Sequence, residues 1–271
     1  MFPGQGVQRR GMGAGLFAAF PDVTHLASDL LGLSIEELCT NDAGRQLRDT
    51  RYAQPAVFVV NMLMHLRHAQ EHGSAYDYYA GHSLGEYNAL VAAGVLTFDD
   101  ALRVVVRRGE LMSEIAGGGM SAILGVGTTV VERAIRDSGL THVFVANRNA
   151  QTQTTIAGDR HEVSLVAKAL ADLPTVRAVP LNVSGPFHTP LMSAVEPALR
   201  TVLAECEFAV DASPVVSSVT GALFTPEDGV DLLGRQPSVP VEWVRAIATL
   251  RAAGVTYFDE ANGKTLTALL H

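Results

Sequence analysis

Short β-branched runs alternate with longer stretches of helical periodicity, and that order predicts an α/β protein. Helical segments are expected near 15–20, 24–31 and 35–39. A stronger one is expected over 55–71, with Pro55 in the first turn, where its missing N–H has no partner to lose. A short strand at 78–80 runs into Gly81-His82-Ser83-Leu84-Gly85, and a helix follows over 84–93. Thr97 reads as the N-cap of the next helix, over 98–116, with Asp99 and Asp100 complementing its dipole.

Gly117-Gly118-Gly119 then breaks the rhythm. Strands near 120–126, 143–147, 154–157 and 177–183 enclose helices at 129–137 and 161–173. This β-α-β-β-α-β order is the ferredoxin-like pattern. Residues 117–184 are therefore expected as a small inserted α+β subdomain. Residues 1–116 and 185–271 flank it as two parts of one larger α/β subdomain. In the last part, helices are expected near 189–204, 241–253 and from Lys264 onward, and strands at 215–219 and 255–258.

Composition narrows the class. The chain has 271 residues, 48% hydrophobic and only 18% charged, enough to bury a sizeable core. The net charge of −8 argues against nucleic-acid and anionic-membrane binding. No apolar run is long enough for a membrane span, and no basic segment precedes an apolar one as in a secretory signal. Two separated cysteines, Cys39 and Cys206, make no disulfide framework, so a cytoplasmic location is expected. The turn signal Pro3-Gly4 comes almost at once, so the first strand is either very short or starts upstream of Met1.

Gly81-His82-Ser83-Leu84-Gly85 is a G-x-S-x-G sequence between a strand and a helix, the context a nucleophile elbow requires. The sharp turn lifts the Ser83 hydroxyl into the open, and the Leu84 N–H at the helix start is placed to hold an oxyanion. A serine nucleophile needs a base. Among nine histidines, His65, His68 and His72 read as surface residues of one helix, and His25, His142, His161 and His271 as solvated. His82 adjoins Ser83 and reads as structural, on the substrate pocket. His188, in the loop Ser184-Gly185-Pro186-Phe187-His188, is the strongest candidate base. An α/β-hydrolase reading is weakened because the triple glycine follows the nucleophile and no histidine precedes it.

The chain resembles the malonyl-CoA:acyl-carrier-protein transacylase family, which includes acyltransferases of polyketide synthases. The resemblance rests on Phe2-Pro3-Gly4-Gln5-Gly6, Gln54-Pro55-Ala56, Gly81 to Tyr87, Arg108-Gly109-Glu110-Leu111-Met112, Asn147-Arg148-Asn149 with Gln153 and Ile156-Ala157-Gly158, and Pro186-Phe187-His188, in that order. It implies an α/β-hydrolase-like core with a parallel sheet. It also implies Ser83 as acylated nucleophile, His188 as base, and N–H groups of Gln5 and Leu84 as the oxyanion hole. By spacing to Pro240-Val241-Glu242-Trp243, the backbone carbonyl that orients His188 would be that of Gln236. Arg108 would hold the free carboxylate of a malonyl group, a role that suits the rigid guanidinium fork. Phe187 in the pocket accompanies malonyl over methylmalonyl in related polyketide enzymes.

No bound cofactor is implied. The substrates are malonyl-CoA and the phosphopantetheine arm of an acyl carrier protein, a transient partner, and the enzyme is expected as a monomer. Thioester hydrolysis on the carrier protein, transfer of methylmalonyl or an aminoacyl-type unit, and a non-catalytic docking role are the competing readings. Two departures stand out: Val7, where the family often has serine, and Asp259-Glu260-Ala261-Asn262-Gly263-Lys264, where an acid-x-Gly-Pro-Gly run is more common. Because carrier proteins are acidic and this chain is too, docking is expected on a local basic edge, with Arg9, Arg10, Arg148 and Lys264 as candidates.

Overall fold

Helices α1 (Pro21–Leu31), α2 (Ile35–Thr40) and α3 (Thr50–His72) lead into strand β1 (Tyr79–Ala80), which is followed by α4 (Gly85–Ala93) and α5 (Phe98–Glu114). The computed structural model describes residues 1–73 and 76–270; His271, read above as solvated, lies outside them. Thr97 does cap α5, its side chain accepting from the Asp100 N–H. The strongest apolar run, Ala56 to Val60 in α3, is wholly buried and packs with α4 and α5 in the main core.

A second sheet follows: β2 (Gly118–Leu124), α6 (Thr128–Ser138), β3 (Val143–Ala150), β4 (Gln153–Asp159), α7 (Arg160–Ala171) and β5 (Arg177–Pro180). Its four strands run antiparallel in the order β3-β4-β2-β5. It has a separate core, with Ile123, Val131, Ile156, Val166 and Leu170 almost fully buried. The chain then returns through α8 (Glu196–Leu203), β6 (Val215–Val216), α9 (Gly229–Arg235) and α10 (Trp243–Ala252). β6 pairs in parallel with β1, Tyr79 opposite Val215, and a parallel bridge from Phe2 to Gly81 adds a third segment. The small sheet is tied to the segment just before α10, where the Val241 N–H donates to Ala146 O at 2.9 Å and the Arg148 N–H donates to Val241 O at 2.9 Å. β3 is the edge strand of its sheet, which leaves its outer side free for this contact.

Several expectations are corrected. Pro55 lies inside α3 and not in its first turn, because Asp49 caps the helix earlier by accepting from the Arg51 N–H. Gly118 and Gly119 belong to β2, opposite Asp159 and Gly158; only Gly117 (φ 86°) makes the break. Residues 255–258 form no strand, and the helix expected from Lys264 is one 3-10 turn, Thr267–Leu269. The segment 189–204 splits into a 3-10 stretch, Pro190–Val195, and α8, since prolines start both. His65 is half-buried, edge-on to Phe2 and Tyr79, and not a surface residue.

The small sheet's core predicts its own stability cost. Ile123→Ala, at a fully buried position, is expected to lose about 2–5 kcal/mol in urea denaturation. A loss under about 1 kcal/mol would contradict a tightly packed second core.

Candidate active site

β1 ends in a turn that leaves Ser83 at φ 54°, a left-handed conformation that costs energy for any residue with a side chain. The turn is tight. A Cβ on Gly81 would lie 1.9 Å from Gly85 O, and one on Gly85 would lie 2.1 Å from Phe2 O. Only glycine fits at either position, and the result is a half-buried serine at the amino end of α4.

His188 reaches Ser83 from the other side of the sequence. It is also held in a left-handed conformation (φ 62°), and its backbone N–H donates to Pro237 O at 2.8 Å. Its Nδ1 lies 3.0 Å from Gln236 O and 3.2 Å from Val239 O. Two carbonyls can only accept, so Nδ1 carries the proton and Nε2 presents its lone pair. Nε2 is 2.6 Å from Ser83 Oγ. Burial above all, then the positive charge of Arg108 and the nearby His82, lowers the His188 pKa to about 3. The ring is therefore neutral at neutral pH, with its Nε2 lone pair open to the serine hydroxyl.

Arg108 comes from α5 and is 1% exposed. Its Nη1 donates to Gln54 Oε1 at 2.6 Å, and its Nη2 donates to Gln236 Oε1 at 2.9 Å and to Ser83 Oγ at 3.2 Å. The guanidinium carbon stands 5.9 Å from the centre of the Tyr87 ring. Among the described residues, no carboxylate touches it directly. Gln236 separates it from Glu86, donating through Nε2 to Glu86 Oε2 at 2.7 Å and to Ser83 O at 3.1 Å. Glu86 is fully buried, and that burial raises its pKa, while hydrogen bonds, that of Ser218 foremost, pull it back. The buried cation is thus solvated mostly by amide oxygens, which leaves its charge available to an incoming anion.

A cavity of about 450 Å³ opens here, lined by Gln5, His82, Ser83, Arg108, Phe187 and His188, with Met112 and Met120 on its apolar wall. Among the described residues, no hydrogen bond within the protein occupies the N–H of Gln5 or of Leu84. The Gln5 side chain is anchored separately, donating to Thr50 Oγ1 at 3.1 Å. His82 turns to the small sheet, its Nε2 2.8 Å from Asn149 Oδ1 and its ring 5.5 Å from that of Trp243. A larger cavity, about 900 Å³ and lined by Phe2, His65, Tyr76 and Tyr79, includes neither Ser83 nor His188.

The geometry thus gathers Ser83, Leu84, Gln5, His82, Arg108, Phe187, His188 and Gln236 around one cavity or its immediate wall. Arg9, Arg10 and Lys264 are exposed. Arg148 is not a free basic group: it donates to Glu242 at 2.8 Å and Glu132 at 2.9 Å. That double ion pair makes it a clasp between α6 and the start of α10. Sequence reasoning assigned no role to Glu86 or Tyr87, nor to the Gln54 and Gln236 side chains. The available signal was polar residues inside apolar stretches, as Gln54 is in α3.

The chain matches the model of the acyl transferase domain over residues 1–254. It is 39% identical over 273 residues to a Bacillus subtilis (strain 168) protein named polyketide biosynthesis malonyl CoA-acyl carrier protein transacylase PksC, covering 100% of this chain and 95% of that protein. It is also 39% identical to the polyketide biosynthesis protein PksE of the same organism, but spans only 36% of that protein's length. Among solved structures, a malonyl CoA-acyl carrier protein transacylase from Burkholderia pseudomallei matches with a TM-score of 0.95 at 39% identity, covering 100% of this chain and 95% of that one. A type II polyketide synthase malonyl-transacylase, solved in complex with its acyl-carrier protein, matches with a TM-score of 0.92 at 35% identity, covering 99% of this chain and 90% of that one. Together with the elbow, the histidine and the arginine around one cavity, these similarities show that the chain belongs to the acyl transferase domain family.

Proposed function

We propose that this protein is a malonyl-CoA:acyl-carrier-protein S-acyltransferase that works by a ping-pong mechanism. The observation that carries this reading is a buried guanidinium whose Nη2 is 3.2 Å from the same Ser83 hydroxyl that His188 contacts at 2.6 Å. Nucleophile, base and carboxylate receptor thus meet within one hydrogen-bond network.

In the first half-reaction, His188 Nε2 takes the Ser83 proton as Oγ attacks the malonyl thioester carbonyl. The tetrahedral oxyanion is held by the N–H groups of Gln5 and Leu84. The C–S bond breaks, His188 returns the proton to the departing CoA thiolate, and a malonyl-seryl ester remains. In the second, His188 takes the proton of the phosphopantetheine thiol, the sulfur attacks the ester, and the proton returns to Ser83 Oγ as the C–O bond breaks. Gln236 O and Val239 O steady the imidazolium that forms in each step, so no third acid residue is needed. Arg108 fixes the malonyl carboxylate and so discriminates against neutral acyl groups. Phe187, 5% exposed and on the cavity wall, limits room for a branch at the malonyl C2.

In this reading the larger part of the chain, 1–116 with 185–271, is an α/β-hydrolase-like core and 117–184 is a ferredoxin-like insert. The enzyme acts in the cytoplasm as a monomer and needs no resident cofactor, since side chains and backbone N–H groups supply every role. Arg9, Arg10 and Lys264 are left as the basic groups for an acidic carrier protein. The shared identity with PksC supports a place in polyketide synthesis.

Three outcomes test this. Mixing the protein with malonyl-CoA should add one malonyl group by intact mass, and Ser83→Ala should abolish the adduct; an adduct on the variant would overturn Ser83 as nucleophile. Arg108→Ala should slow malonyl transfer tens-fold to about a hundredfold more than acetyl transfer, the scale of a lost charged hydrogen bond. Equal losses would remove the carboxylate role, because both acyl groups share any structural damage. The third outcome concerns pH. His188 stays neutral in the fold down to about 3, whereas an unfolded histidine protonates near 6.5. The unfolded state therefore binds the extra proton between those values. The histidine's contribution to stability is full above 6.5 and falls as pH drops through that window. In the kcat/KM profile, the acid limb for this base should lie below pH 5. A limb at the ordinary histidine value would contradict the buried, neutral base.

A further inference from the structure

The Asp259–Lys264 run departs from the family's usual pattern, and the structure shows where its Asn262 goes. Asn262 is fully buried, and its Nδ2 donates to Asn61 Oδ1 on α3 at 3.1 Å. Asn61, also fully buried, donates through Nδ2 to Asn88 Oδ1 on α4 at 3.0 Å and to Pro3 O at 2.9 Å. Asn88, likewise fully buried, donates to Phe58 O at 2.9 Å. Three amides from three parts of the chain thus form one directed ladder inside an apolar core.

Among the described residues, the ladder's one hydrogen bond outside the helices and the Asn262 loop is to Pro3 O, two residues before Gln5. That segment lies directly on the elbow: a Cβ on Gly4 would meet His82 O at 2.6 Å and Leu84 N at 3.6 Å. The backbone at 3–5 and the N–H of Leu84 therefore share one narrow space, and Pro3 is held there through its carbonyl by Asn61.

We propose that the Asn262–Asn61–Asn88 ladder is a positioning device for the oxyanion hole, fixing the Gln5 N–H beside the Leu84 N–H. This rests on the acyl-transfer reading above. The direction of the ladder matters. Phe58 O and Pro3 O can only accept, so Asn88 and Asn61 turn their Nδ2 groups to them, and Asn262, donating to Asn61 Oδ1, holds the Asn61 amide in that sense. With the amide reversed, an oxygen would face the Pro3 carbonyl oxygen and push the segment away from the elbow. A displacement of the Gln5 N–H by a fraction of an ångström weakens a bond made fully only in the transition state. The ladder therefore acts on kcat and not on the binding of malonyl-CoA.

The test uses the full chain, [1-13C]malonyl-CoA labelled at the thioester carbonyl, and infrared difference spectra of the malonyl-seryl ester. Hydrogen bonds from the oxyanion hole lower the ester carbonyl stretch. Asn61→Leu, close in size but unable to donate, is expected to raise that frequency and cut single-turnover acylation about tenfold or more, with KM for malonyl-CoA unchanged. Asn262→Ala, which leaves the helices untouched, is expected to move both readouts the same way by less, and serves if Asn61→Leu does not fold. Ile123→Ala, in the separate small-sheet core, supplies a destabilised control with the wild-type frequency. If an Asn variant loses stability but keeps the wild-type frequency and acylation rate, as Ile123→Ala does, the ladder is only structural and the proposal is overturned. If the wild type itself shows no ester band, it is the acyl-enzyme reading that fails.

Discussion

A guanidinium buried to 1% exposure, with no touching carboxylate among the described residues, is costly to desolvate, and much of the site is organised around it. Arg108 is held by two glutamine side chains, Gln54 from α3 and Gln236 from the turn after α9. Gln236 is placed between the cation and Glu86, so the two charges attract across an amide without collapsing into a pair. Its backbone carbonyl also accepts a hydrogen bond from His188 Nδ1–H. One residue therefore sets the direction of the base, the position of the cation and, through Ser83 O, the nucleophile's backbone.

The same cation shapes the chemistry of the base. Its charge adds to burial in keeping His188 unprotonated. In the proposed mechanism, a substrate carboxylate on Arg108 offsets that charge, so the base strengthens when the correct acyl group is bound. An uncharged acyl group leaves Arg108 unneutralised and the base weaker. Selectivity and reactivity would then share one origin, the unpaired charge of Arg108.

What could be read from the sequence follows from how local each signal is. Gly81 and Gly85 are legible because the tight turn admits nothing else, and Thr97 because a cap needs only its own next three residues. Pro55 misled because its local preference for a first turn was overridden by Asp49 and by the burial of α3. The segment 255–258 has strand-like composition but forms no strand, and composition alone does not supply a pairing partner. Arg148 was placed beside a recognised motif, but its two carboxylates, Glu132 and Glu242, come from distant positions. The Asn61–Asn88–Asn262 ladder is of the same kind: Asn262 stood out only as part of a departure in the 259–264 run, Asn61 and Asn88 carry no local signal, and only the fold stacks them.

The most direct measurement of the central claim is a crystal structure of the wild-type enzyme trapped as its malonyl-seryl ester. The account predicts the malonyl carboxylate within hydrogen-bond distance of the Arg108 guanidinium. It also predicts the ester carbonyl oxygen facing the N–H groups of Gln5 and Leu84, with His188 Nδ1 still on Gln236 O. A carboxylate turned to solvent, with Arg108 still bound only to Gln54, Gln236 and Ser83, would contradict it.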